Sequence, residues 1–215
     1  MARMITKEFT FDDMENEVRF SRASLKADPD AAMLHPRADS LLGWISAARD
    51  KDALARTAVQ EASAFRFVAN TRLDAACRSF GRDLAHSLSN DRSGARWHRF
   101  FRGTVDDFVS QPLADQAAAC LAWLTIDEPV LAPHRETIER WAEAAKSALE
   151  QTEASGQVRG TAMVAKEQLA EDLTRARDGL AVALATLADE HGFGRNYPDG
   201  FFIREKKRAK TPKAE

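Results

Sequence analysis

The stretch DALARTAVQEASAFRFVANTRLDAACRSFGRDLAHSLSN, residues 52–90, decides the fold class. Apolar side chains recur through it at Leu54, Ala58, Ala62, Phe65, Val68, Leu73, Ala76, Phe80, Leu84 and Leu88. Nearly every step is three or four residues, with one slip of five at Leu73, which is the spacing of an amphipathic helix. No proline interrupts it, and its interior glycine, Gly81, costs a helix about 1 kcal/mol. A helix of this reach crosses a compact chain of 215 residues, whose radius of gyration is about 17 Å, so the remaining segments are expected to lie alongside it.

The flanking sequence reads the same way. Thr10 opens a first helix, with Asp13 in the capping-box position and Phe9 and Met14 placed as a hydrophobic staple. That helix ends at Asp28-Pro29, and residues 28–37, with two prolines, form a connector. A helix over 38–49 carries Leu41, Leu42, Trp44 and Ile45, after which Asp50 or Asp52 is expected to cap the long helix. Asn90-Asp91-Arg92-Ser93-Gly94 is a loop. A helix over 95–110 presents Trp97, Phe100, Phe101, Val105 and Phe108, and Pro112 starts the next one, 113–126. Beyond the loop 127–133, two helices are expected over 134–154 and 161–191, separated at Ser155-Gly156 and Gly160. Gly192-Phe193 is a helix stop with its hydrophobic contact.

The totals agree with an all-α chain. Alanine and charged residues are abundant, there is a single tyrosine, and hydrophobic content is 44%. The expected architecture is an elongated antiparallel bundle of six or seven helices, one domain over 1–203. It comprises N-terminal helices (8–49), the long helix (52–90), a helical hairpin (95–126), two C-terminal helices (133–191) and an aromatic fold-back (192–203). Residues 204–215 hold six basic side chains against two acidic ones, a net +4 that leaves −6 for the rest of a chain whose total is −2. This segment reads as a flexible basic tail.

Several function classes find no support in the residues. Cys77 and Cys120 both fall in apolar helical patterns and read as buried thiols rather than a disulfide framework. The opening MARMITKEF has no apolar signal core, and the longest uncharged apolar run, 116–126, is too short to span a membrane. A soluble cytoplasmic protein is the expectation. Asp83-x-x-His86 has the spacing of one half of a di-metal bundle, but no second acidic-x-x-His partner exists, so neither a metal nor another cofactor is expected. There is no phosphate-binding glycine loop and no nucleophile elbow. The reading therefore leans away from an enzyme, with a helical enzyme lacking recognisable motifs as the last alternative.

What remains is a non-catalytic interaction protein: a scaffold, adaptor or assembly component acting through helix faces, its partner another protein or a second copy in a homodimer. The candidate interface has two parts. Leu173, Leu180 and Leu187 repeat every seven residues with Leu169 in the partner register, and Phe193, Tyr197, Phe201 and Phe202 form an aromatic cluster after the helix stop. The alternative is nucleic-acid association. Arg92, Arg96, Arg99 and Arg102 recur every three or four residues among aromatics, and Lys206, Lys207 and Arg208 lie in the tail, so phosphates and bases are conceivable ligands. The same arginine helix reads better as aromatics entering a core while the arginines pair with the acidic body, since Trp97, Phe100, Phe101, Val105 and Phe108 keep core spacing.

Overall fold

A computed structural model describes residues 5–6 and 8–203. Lys206, Lys207 and Arg208, with the rest of the tail, lie outside the described residues. Among those described, every regular element is helical. These are α1 (Phe11–Ala27), α2 (His35–Ser87), α3 (Ala95–His98), α4 (Val105–Val109), α5 (Leu113–Trp123) and α6 (Arg135–His191), with short 3-10 segments at Ala32–Leu34, Pro129–His134 and Tyr197–Phe201. The protein is an antiparallel helical bundle, and no helix among the described residues is long and apolar enough to cross a membrane.

Two pairs of helices read as separate from sequence are single helices. Residues 38–49 and 52–90 belong to α2, 53 residues without a break. An aspartate caps a helix only where the backbone leaves helical dihedrals, and neither Asp50 nor Asp52 sits at such a place. Likewise 134–154 and 161–191 are one 57-residue helix, α6. Gly156 and Gly160 face open space, so they lower helix propensity without forcing a turn.

The described residues divide into two compact units, those up to 54 with 160–203, and 55–159; α2 and α6 contribute to both. In the first, α1 begins with Thr10 accepting from the Asp13 amide while the Asp13 carboxylate accepts from the Thr10 amide, the expected capping box. Its buried face, Phe11, Met14, Val18 and Leu25, joins Leu34, Ala38, Leu41 and Ile45 of the following segments and Leu169, Leu173, Leu180, Leu184 and Leu187 of α6. Arg49 bridges to Asp12 and Glu15, and Arg22 to Asp39, which fixes α1 antiparallel to α2. Gly192 has φ of 70°, and the Phe193 amide donates to the Ala188 carbonyl, closing α6 as the sequence indicated.

In the second unit the core is aromatic. Phe80 of α2, Trp97, Phe100, Phe101, Phe108 and Trp123 interlock with ring centroids 4.7–5.9 Å apart, many of them edge to face. Gly81 is required where it stands: a Cβ there would lie 2.4 Å from Val105 Cγ2 and 3.3 Å from the Phe101 ring. The side chains of Phe101 and Val105 therefore pack directly onto the bare α2 backbone at Gly81.

Candidate functional site

The predicted leucine interface is an internal one. Leu169, Leu173, Leu180 and Leu187 are all buried against α1 and the early part of α2, within the first unit. Phe201 and Phe202 join the same core, and the Arg177 guanidinium lies 4.9 Å from the Phe202 ring centre. Tyr197 is partly buried; its hydroxyl donates to Asp28 at 2.7 Å, and burial together with that acceptor pushes the phenol above its usual range. Phe193 alone of the eight is exposed, stacked between His191 and Tyr197. The heptad signal was sound as a packing signal. The partner it finds is the chain's own N-terminal segment, because α1 and α2 offer an apolar face in covalent reach and no association entropy opposes that contact.

The apolar stripe of 52–90 is also placed differently in its first half. Ala55, Ala62, Ala69 and Ala76, seven residues apart, are buried, whereas Phe65 and Val68 are exposed at 60% and 47% and Phe67 at 72%. Between 55 and 68 only Ala55 and Ala62 are buried, and on α6 between 149 and 159 only Ser155. A seam of small residues brings backbones close and covers a narrow line, so bulky residues in this stretch are left outside it. Phe65 and Val68 share one helix face, and Phe67 lies about 100° round from Val68. Sequence reading missed this surface because Phe65 and Val68 also fit a core stripe; the signal available was the competing seven-residue alanine phase.

The arginine segment is not one helix. It breaks after α3 because Trp97 is fully buried and its indole N–H donates to the Gly103 carbonyl at 3.0 Å, pulling the chain into a turn. Gly103 is needed there, since a Cβ would meet the Asp107 carboxylate at 2.7 Å. Thr104 and Asp107 then form a capping box that starts α4, and the two Thr104 donors hold the Asp107 carboxyl below the usual carboxylate range. His98 Nδ1 lies 3.3 Å from the Phe101 carbonyl, a further pin on the turn.

The turn separates the four arginines into different roles. Arg92 lies over the Trp97 ring at 5.4 Å. Arg96 makes a two-point ion pair with Glu128, which is only 4% exposed; the Arg96 hydrogen bonds are the main reason the Glu128 carboxyl is held low. Arg99 and Arg102 are exposed; neither makes a direct salt bridge among the described residues, although the Arg99 charge helps hold the Glu128 carboxyl low. With His98 they border a groove of about 610 Å³ whose other walls are Phe100, Phe108, Gln111, Ala119, Ala122, Trp123, Thr125 and Ile126. No acidic side chain lines it. Arg135 fixes the far wall by donating to the carbonyls of Leu124 and Ile126.

Two further groups have structural partners. Cys77 and Cys120 are buried with sulfurs 3.4 Å apart and are free thiols; their mutual hydrogen bond and burial push the Cys120 thiol far above its usual range, which suppresses the reactive thiolate. Asp83, the carboxylate of the Asp83-x-x-His86 pattern, bonds His134 Nε2 at 2.9 Å, and among the described residues no three His, Cys, Asp or Glu side chains converge. Comparison of the chain with family models, with curated proteins and with solved structures returns no match.

Proposed function

We propose that this protein is a non-catalytic, cytoplasmic helical interaction protein that self-associates through the exposed face of α2 around Phe65. The observation that carries the reading is the exposure of Phe65 and Val68 on one face of α2, with exposed Phe67 further round the same turn. Single exposed apolar residues are ordinary, but a cluster of bulky ones is a signature of an interaction surface. Covering Phe65 and Val68, which share one face, would contribute about 2 kcal/mol, enough to matter in a helix-face contact. Two buried free thiols suit a reducing compartment.

The nucleic-acid alternative is weaker than the arginine spacing suggested. It needs Arg92, Arg96, Arg99 and Arg102 as one row, and Arg96 is already engaged by buried Glu128. Light scattering on the eluting protein at low and high salt, with absorbance at 260 and 280 nm, tests the proposal. A salt-independent dimer that becomes monomeric in the Phe65→Ser/Phe67→Ser/Val68→Ser variant, with unchanged helicity, is the expected result. A monomer in both buffers would refute self-association, and a monomer that sheds 260 nm-absorbing material at high salt would favour the alternative.

A further inference from the structure

We infer that the groove bordered by His98, Arg99 and Arg102 is a binding site for a small phosphorylated organic molecule. Three observations converge on it. The groove, about 610 Å³, falls in the range of about 300–1,000 Å³ typical of small-molecule sites. Its lining carries two exposed arginines, neither in a direct salt bridge among the described residues, and one histidine, while no carboxylate lines it. The lining also includes the apolar side chains of Ala119, Ala122 and Ile126, with smaller parts of buried Phe100, Phe108 and Trp123.

The chemistry of the ligand follows from that division. Guanidinium groups present paired N–H donors that match phosphate oxygens, and they are weakly hydrated, so a phosphoryl group is the anion they bind best. His98 Nδ1 faces the Phe101 carbonyl, which leaves Nε2 as the ring nitrogen available to the groove. Gln111 adds an amide. An inorganic ion would use the cationic groups alone and leave Ala119, Ala122 and Ile126 wet. A phosphate monoester with an aromatic or aliphatic group uses both.

The rim is also set in place before a ligand arrives. The 98–104 turn is held by Trp97 to Gly103, by His98 to Phe101 and by the Thr104–Asp107 box, and α3 is tied to the 3-10 segment through Arg96 and Glu128. Preorganised donors lose little entropy on binding. This contrasts with Arg92, which lies over Trp97 and does not line the groove.

Isothermal titration of the full chain with phenyl phosphate, with inorganic phosphate alongside, tests the site. The expected result is saturable one-to-one binding, tighter for phenyl phosphate. The Arg99→Ala/Arg102→Ala variant should bind about tenfold more weakly or worse, with an unchanged melting profile, whereas Arg92→Ala binds as the parent does. Arg102→Gln alone, which keeps the Arg99 charge beside Glu128, should weaken binding by about threefold and guards against any folding effect of the double change. The inference fails if no saturable heat appears or if inorganic phosphate binds as tightly. Equal weakening by Arg92→Ala would show diffuse charge rather than a site. Displacement of phenyl phosphate by far lower concentrations of a single-stranded oligonucleotide would replace the small molecule with a nucleic-acid strand.

Discussion

Leu173→Ala tests where the heptad leucines do their work. Leu173 is fully buried and borders a void of about 20 Å³ shared with Val18, Leu41, Leu180 and Phe202. Truncating a buried leucine to alanine costs about 3–5 kcal/mol, growing by about 24 cal/mol for each Å³ of cavity left behind. The existing void merges with the new one and adds about 0.5 kcal/mol, which puts the expected loss near 4 kcal/mol. With a urea slope of about 2 kcal/mol/M, the midpoint for the unit containing Leu173 falls by about 2 M. Urea titration followed by far-ultraviolet circular dichroism measures it, repeated over a tenfold range of protein concentration. A contact within one chain makes the gap between variant and parent independent of concentration, whereas a contact between copies makes it shrink on dilution. A loss below about 1 kcal/mol, or a gap that closes on dilution, would refute the internal assignment of these leucines.

Three other changes probe the helices and the ion pair. Gly81→Ala should destabilise by about 1–2 kcal/mol despite alanine's better helix propensity, because its Cβ runs into Val105; thermal melting gives the sign. Gly156→Ala and Gly160→Ala, in open space on α6, should each stabilise by about 0.5–1 kcal/mol, and a loss in either would mean that the helix needs those glycines. Glu128→Gln should cost about 1–2 kcal/mol at neutral pH, less than a fully buried pair because Arg96 is 40% exposed and solvent screens it. Since Arg96 holds the Glu128 carboxyl below its unfolded value near 4.3, that stabilisation is present above about pH 4.5 and lost as pH falls through the lowered value. The glutamine variant should therefore show a flatter acid limb in stability plotted against pH, and an unchanged limb would show that the pair does not contribute to it.

Much of this protein was legible in the residues themselves. The Thr10–Asp13 box, the helix start at Pro112 and the stop at Gly192 depend on neighbours within a few positions, so local sequence determines them. The same holds for the aromatics at 97–108, whose bulk and spacing leave a core as the place to bury them. The all-α class follows from composition and period together.

Tertiary packing decided the rest. Helical spacing leaves the phase of a stripe ambiguous wherever alanines and larger residues compete, and the close approach of small residues resolved it, burying Ala55 and Ala62 and exposing Phe65 and Val68. Whether the 161–191 leucines meet another copy or the chain itself depends on α1 and α2, more than a hundred residues away. The pairing of Cys77 with Cys120 and the groove joining 98–102 to 119–126 likewise bring together segments far apart in sequence. Short-range pattern carries no information about such meetings, because the free energy that selects them comes from burying distant side chains together, Leu173 with Met14 in one core and Trp97 with Phe100 and Trp123 in the other.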